Sequence, residues 1–555
     1  MLKRTLFIAI VILAFTFMGC HKKEQHGSPT LPSLHLTMTS MQLDSILADR
    51  DNKVSAFAVL IDANGDTLYE GDLTHIKTRG NTSFKEHKKP FTIKFPQKQK
   101  LFGLEKNRSF VLLANACDES HIRNAIGLDL ARAFGIPASR YAYLTLYING
   151  TYKGLYQMTN KVDVGKRALD ITDLDDLNEL ANPKPLKEYT WYGDGRKKQV
   201  IQRKGVLLER DPDDITGGYL LDNTGDNTFY SKSISGFASD ADDNIQIRSP
   251  KYASPQEVNY IAGLYNEMEK AVHSPDGINP ETSRHYSEYI DVESFARYYL
   301  LNELLYNLDG GWASFMMYKD TDSIDPKIYA GPAWDYDKVL DNPSFSANKI
   351  IQPNELFVNE KIQKIGIVHS EGLLYCLCQH DDFQQTIKSI YTNSIGPACH
   401  QYLESNTIDS LITLLGHEAD KDNQTHNIRS SKDYENATTI ATDFLIKRVD
   451  FFDWFYSSTK DEQIHVTCKT KNSSLHKVRQ FYFPIGEAIH VPQIEKLYNH
   501  TPIYEMYYAG TDSIVTEGTI FHESQELELR KRPPTKHEVQ MRRIKKKLAK
   551  FGIKI

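Results

Sequence analysis

Cysteine and tryptophan are scarce in this chain of 555 residues, which has six of the first and four of the second. Beyond Cys20 there remain Cys117, Cys376, Cys378, Cys399 and Cys468, an odd set that leaves at least one thiol unpaired and whose spacing matches no zinc site. They read as small buried hydrophobes, with no function assigned. Charge of one sign is lacking too: a net charge of -6 carries no mark of nucleic-acid binding. At 40% hydrophobic, 11% aromatic and 25% charged residues, the chain has the composition of a folded protein with ample core, in two or three domains.

A transmembrane-length apolar run is missing as well. The start, Lys3 and Arg4 followed by apolar Leu6 to Met18 and then Gly19-Cys20, is too short to span a bilayer comfortably and reads as an export signal. Cys20 after a small residue fits a bacterial lipoprotein cleavage and lipidation site, although Phe17 stands where Leu is usual. The polar stretch up to residue 33 is then a flexible tether, and the mature protein is expected as a membrane-anchored lipoprotein outside the cytoplasm, in the periplasm or at the cell surface.

The richest stretch is Tyr306 to Lys338, which gathers acids and amides that packing alone does not call for. Asp291 is a plausible N-cap for a buried apolar helix that ends at Asn307-Leu308-Asp309, where Gly310-Gly311 stop it. Ala313–Tyr318 and Lys327–Ala330 read as a hairpin leading into Trp334-Asp335-Tyr336-Asp337. Aspartates two apart share one face of an extended segment, and Mg²⁺ takes one or two carboxylates plus phosphate oxygens, so Asp335 and Asp337 form a candidate metal pair. Asn307 and Asp309 are candidates for orienting a hydroxyl nucleophile. The same residues also fit a plainer reading, with Asp309 capping a turn and Trp334 and Tyr336 as core aromatics between solvated acids.

From Ser33 to Phe95 the pattern is β-rich, and it carries Arg79-Gly80-Asn81-Thr82-Ser83 and Lys88-Lys89-Pro90-Phe91-Thr92-Ile93-Lys94-Phe95. Further on come FVLLANACDESHIRN (110–124), LYINGTYKGLYQM (146–158), GGYLLD (217–222), IRSP (247–250), and the NLD and WDYD elements already named. Six such elements in this order resemble the spore-coat-protein-H (CotH) family of kinase-like proteins, over about residues 36–456. The resemblance implies an α+β, atypical protein-kinase-like core of two lobes, a β-rich N-lobe and a mostly helical C-lobe, that phosphorylates protein with Mg²⁺ and ATP. It places Asp309 at the acidic catalytic-loop position with Asn307 beside it, Asp335 and Asp337 at the metal, and Arg79, Lys94 and Arg123 as cations for nucleotide phosphates. The sequence departs from the family's common Thr-Glu at Thr159-Asn160, where no carboxylate is left to partner a nucleotide-binding cation.

The expected boundaries are a signal at 1–20, a tether at 21–33, the kinase-like domain at 34–460, a small β-sandwich-like domain at 461–532 and a basic tail at 533–555. Residues 178–212 read as an inserted mobile loop, and 371–378, 383–392, 400–415 and 434–456 as helices, the last bearing an arginine as in the family. The short alternating runs after Glu462 are expected to fold by themselves and to contribute little to the site. Two functions follow. One is a kinase acting on Ser, Thr or Tyr of an envelope or secreted protein; the other is a catalytically silent surface lipoprotein that binds a protein or glycan.

Overall fold

The computed structural model describes residues 31–532 apart from 81–82, 166–168, 183–188, 197–199, 225–233, 242, 308, 312, 347–352, 359–371, 429–433, 471–477, 487, 490–502 and 517, together with 536 and 540. Cys20, the expected signal, nearly all of the tether and nearly all of the basic tail therefore lie outside the described residues.

Seven strands close into a barrel. They are β1 (Ser33–Thr37), β2 (Val54–Ile61), β3 (Thr67–Thr78), β4 (Phe91–Gln99), β5 (Asn107–Leu113), β6 (Tyr141–Ile148) and β7 (Thr151–Asn160). Their order is β1-β2-β3-β4-β5-β7-β6, and β1 closes the ring by pairing parallel to β6. Alternation along β4 explains the filling: Phe91, Ile93 and Phe95 enter a core shared with Leu34, Leu36, Tyr156 and Met158. Thr92 and Lys94 therefore face outward, only half-buried. Closure leaves this barrel no open edge among the described residues.

Helix α1 (Ser40–Ala48) follows β1, with a capping box at Thr39 and Gln42. Helix α2 (Arg123–Ala133) leaves β5 and is buried along almost its whole length. Helix α3 (Leu174–Ala181) precedes a second sheet formed by β8 (Tyr189–Arg196), β9 (Val200–Val206), β10 (Tyr219–Asn223), β11 (Ser235–Ala238), β12 (Asn244–Ser249), β13 (Phe315–Lys319) and β14 (Tyr329–Ala330). The order is β14-β13-β10-β12-β11-β9-β8. The stretch expected as a mobile loop, 178–212, thus contributes the end of α3 and a hairpin that extends this sheet. The prolines and the basic run between these elements hid the strand signal.

One face of the second sheet, with Leu221, Ile245 and Ile247, packs into the main core with helices α4 (Pro255–His273) and α5 (Val292–Leu304). Its other face carries Leu220 and Met316, beside Leu169 and Trp334. The helices α6 (Leu373–Leu377), α7 (Asp381–Ile390), α8 (Gly396–Glu404), α9 (Thr407–His426) and α10 (Tyr434–Ser457) complete the main body. The expected helix over 400–415 is divided between α8 and α9. Among the described residues no helix is long and apolar enough to cross a membrane.

The arginine expected in the closing helix is Arg448 of α10, and it is fully buried. Its Nη1 donates to the carbonyls of Pro353 (2.6 Å) and Glu355 (2.5 Å), and its guanidinium lies 4.6 Å from the ring of Phe452. Those carbonyls adjoin β15 (Glu355–Leu356), which forms the edge of a third sheet with β16 (Gln463–Thr470), β17 (Val478–Pro484), β19 (Ile503–Tyr508) and β21 (Gln525–Arg532). A separate pair joins β18 (Ala488–Ile489) to β20 (Thr519–Ile520). The C-terminal strands have their own apolar core around Ile464, Val466, Phe481 and Leu527, but their sheet takes β15 from the main body. The fold is therefore mixed α and β, organised around a closed barrel, a second sheet and a helical body.

Candidate active site

Helix α5 begins with the expected cap, as the Asp291 carboxylate accepts the N–H of Ser294 at 2.8 Å. At its other end Tyr306 adopts φ 50, which turns the chain out of the helix. Asn307 then fixes the turn. Its backbone N–H donates to the Asn302 carbonyl (2.9 Å), its Nδ2 donates to Asn302 Oδ1 (2.8 Å), and its Oδ1 accepts the N–H of Asp309 (3.1 Å). Buried Asn307 is a brace for Asp309. Gly311, at φ 81, lets the chain reverse into β13.

The β13–β14 hairpin forms as expected, pairing Met317 with Ala330 and Tyr318 with Tyr329. Past it, Ala333 donates to the Pro137 carbonyl at 2.8 Å and Tyr336 N–H to Asn124 Oδ1 at 2.8 Å, which ties the segment to α2. The Tyr336 ring covers Gly127, where an added Cβ would lie 2.5 Å from Tyr336 Cγ. Between these ties Asp335 takes φ 71, in the left-handed region that Asp tolerates better than most residues. The expectation of an extended segment with both acids on one face is corrected here. A left-handed residue and a buried tyrosine, not strand alternation, bring Asp335 and Asp337 together.

Asp309, Asp335 and Asp337 act on one another electrostatically. Burial raises the Asp335 carboxyl above the ordinary range and the Asp309 charge raises it further, against Lys338, a hydrogen bond from Ser314 Oγ (3.1 Å) and Arg79. Asp337 is pushed well above its ordinary value, by burial first and then by Asp335. Asp335 is nonetheless exposed to water. Lys338 Nζ is 2.7 Å from Asp309 Oδ2. Burial works against its charge, but Asp309, Asp337 and Asp335 outweigh that and raise its pKa.

Of the three sequence-predicted cations, only Arg79 reaches the acids. Its guanidinium lies 5.1 Å from the Trp334 ring, and burial lowers its pKa to about 10 against the opposing pull of Asp335. Arg123 is fully buried, with Nη1 donating to Asp118 Oδ1 (2.6 Å) and Ser120 Oγ (2.9 Å) and Nε to the Val339 carbonyl (3.0 Å). It braces the turn after Asp337 from beneath. Lys94, on the outer face of the barrel, keeps company with Lys53, His75 and Lys77, as their joint lowering of the His75 pKa, after burial, shows.

Three contributors escaped the sequence reading: Lys338, Ser314 and Arg248. Lys338 directly follows the W-D-Y-D motif, and Arg248 lies in I-R-S-P; both were legible as charged residues, but not Lys338 as a neighbour of the acids or Arg248 as a neighbour of Arg79. Among the described residues no three His, Cys, Asp or Glu side chains already converge on a point that could hold a metal. Two mutually repelling carboxylates, one exposed and one half-buried, do fit an ion that completes its shell with substrate oxygens.

A model of the family described as CotH kinase protein matches residues 76–452. The chain belongs to the CotH kinase family. The match begins in β3, ahead of Arg79, and ends in α10 after Arg448, so it takes in every residue of the acid cluster. It leaves β16 to β21 outside this CotH chain's family region. No curated protein matches the chain.

Proposed function

We propose that this CotH-family protein is a phosphotransferase that moves the terminal phosphate of Mg-ATP to a Ser, Thr or Tyr hydroxyl of an envelope or secreted protein. The observation that carries the reading is the meeting of Asp309, Asp335 and Asp337, from chain segments about two dozen residues apart, with Lys338 and Arg79 beside them. Asp335 and Asp337 would hold Mg²⁺, which when bound neutralises charge on the phosphate oxygens. Asp309, held by Asn307, orients the acceptor hydroxyl and takes its proton. Lys338 Nζ, 2.7 Å from Asp309 Oδ2, holds that carboxylate in place for the role. Arg79, stacked on Trp334, meets the phosphate tail. Phosphoryl transfer depends chiefly on such positioning and charge, so few groups suffice if they are rigid. Lipid on Cys20 would hold the protein at a membrane outside the cytoplasm, facing envelope partners.

A second reading, a silent binding protein, is favoured by one observation. Asn160 replaces the acid common in the family, and its side chain pins the Glu105 backbone, with Nδ2 donating to the carbonyl (2.9 Å) and Oδ1 accepting the N–H (3.0 Å). A carboxylate cannot do both, because it has no donor. The residue therefore serves structure and brings no charge to a nucleotide cation. Calorimetry with Mg-ATP and an autophosphorylation assay separate the two readings. Asp335→Ala should abolish metal-dependent binding, and Asp309→Ala should spare binding while lowering transfer roughly a hundredfold. If the wild-type protein neither binds nor transfers at millimolar ATP, the binding-protein reading takes over.

A further inference from the structure

Strand β12 sends Ile245 and Ile247 into the main core, so Arg248 emerges on the opposite face of the second sheet. Across the ladder on β10, Asp222 is paired with Gln246 and Met316, and only 2% of it is exposed. Its Oδ2 accepts Arg248 Nε at 2.8 Å and also the Nη2 of the same fork, while its Oδ1 is buried with no hydrogen-bond partner. A buried carboxylate is thus committed to one arginine. The Arg248 side chain itself stays 39% exposed, so the rest of its fork faces solvent.

What that fork faces decides the matter. Trp334, the ring under Arg79, packs on this same sheet face with Leu220 and Met316, and Met316 is paired with Asp222, so the two guanidiniums share one face, where the Arg248 charge also disfavours that of Arg79. Each guanidinium is anchored separately, Arg79 on Trp334 and Arg248 on Asp222. Asp222 offsets the charge of Arg248 and Asp335 favours that of Arg79, yet the two like charges still oppose each other, and an anion between them relieves that opposition. Beside them stand carboxylates that call for a cation. We infer that Arg248, aimed by Asp222, forms with Arg79 a two-guanidinium clamp for the polyphosphate tail of a metal-bound nucleotide. Planar forks suit this ligand, because each offers paired N–H donors to phosphate oxygens. The inference rests on the phosphotransferase reading for its nucleotide, but the clamp for a polyphosphate stands on its own geometry.

The test uses calorimetry on the full chain with two probes, Mg-ATP and magnesium tripolyphosphate. Arg248→Gln should weaken both by about ten- to a hundredfold, the scale of a charge-assisted hydrogen bond, and Arg248→Lys should recover only part of the loss. Because Arg248→Gln strands the Asp222 carboxylate, the double variant Arg248→Gln/Asp222→Asn provides a neutral, hydrogen-bonded pair. It should melt near wild type yet show the same weakened binding. Unchanged Mg-ATP affinity in a well-folded double variant overturns the clamp and leaves the phosphotransferase reading standing. Wild-type binding of tripolyphosphate without Mg-ATP, lost in the double variant, supports the clamp and overturns the nucleotide. Failure of the wild-type protein to bind either probe overturns both.

Discussion

The Nζ of Lys338 lies 2.7 Å from Asp309 Oδ2, one residue along the chain from Asp337 and three from Asp335. This lysine acts on all three neighbouring carboxylates, and it competes with any divalent ion for them. Lys338→Met should therefore tighten Mg²⁺ binding several-fold, as expected for removing one charge at close range in a partly buried site. The same change should lower phosphate transfer about tenfold or more, because Asp309 loses its partner. Titration calorimetry with Mg²⁺ checks the first part. A weaker Mg²⁺ affinity would show that Lys338 supports the ion rather than opposing it.

The acid pair also fixes a pH dependence. Asp335 and Asp337 both have folded-state pKa values raised above the usual carboxylate range, so the folded protein holds protons that the unfolded chain releases. Their contribution to stability is fully present below about pH 4, the ordinary carboxylate value, and is lost as pH rises through the raised folded values. An ion that binds the ionised pair offsets that loss. Mg²⁺ should raise the melting temperature more at about pH 8 than at about pH 5, measured against EDTA. An increment independent of pH would place the ion elsewhere.

A different ion pair joins the barrel to the helices. Lys88 Nζ is 2.7 Å from Asp422 Oδ2 of α9, with both side chains essentially inaccessible, and it also donates to the Ala114 carbonyl at 2.7 Å. Asp422 Oδ1 accepts the N–H of Leu155 at 2.9 Å, in a space that Gly154 leaves open, since a Cβ there would be 2.1 Å from that oxygen. Lys88→Met strands a buried carboxylate and should cost about 3–5 kcal/mol in chemical denaturation. The double variant Lys88→Met/Asp422→Leu removes both charges and should recover much of that loss. Equal losses in single and double variants would mean that packing, not the charge, is what matters here.

How much of this was legible depends on whether the cause is local. The cap at Asp291, the Asn307 turn, the hairpin and the acid pair are short-range patterns, and the sequence from 291 to 338 carries them all. Arg123 and Arg248 both stand in basic motifs, yet one is sealed against Asp118 and the other emerges beside Arg79. Which of the two is left accessible depends on burial, which spacing does not encode. Lys88 and Asp422 are 334 residues apart, and no local pattern announces such a pair. Asp335 was placed by strand alternation, whereas its left-handed conformation is imposed by the ties of Ala333 and Tyr336 to the segment 124–137.

The fit of Tyr336 on Gly127 gives a sharper test of that positioning. Alanine favours a helix over glycine by up to about 1 kcal/mol, but its Cβ would overlap a ring that has no room to move. Overpacking of this kind costs about 1–3 kcal/mol, so Gly127→Ala should lower stability on balance. Because Tyr336 stands between Asp335 and Asp337, the Mg²⁺-dependent rise in melting temperature should shrink as well. A destabilised variant with an undiminished metal increment would show that the acids are held independently of the ring.

Truncation near residue 460 tests whether the C-terminal strands are an appendage. Composition alone argues for independence, but β15 pairs Glu355 with Phe481 and Leu356 with Gln480, and Asn354 exchanges hydrogen bonds with Tyr482 at 3.1 and 3.2 Å. Tyr482 also packs edge-on against Phe455 at 4.9 Å. Glu355 in turn accepts the Tyr306 hydroxyl at 2.5 Å and lends its carbonyl to buried Arg448. Tyr306 is the residue that turns α5 toward Asn307 and Asp309. Removing residues beyond 460 should therefore lower the melting temperature by several degrees, as losing about 1–3 kcal/mol of burial and pairing does in a large domain, and should loosen the Asp309 turn. Calorimetric melting of the truncated chain, with hydrogen exchange at Asn307 and Asp309, reads both effects. If the truncated chain melts at the full-length temperature with unchanged protection at that turn, β15 is a passive edge, and the hub of Tyr306, Glu355 and Arg448 is sufficient by itself to hold the site.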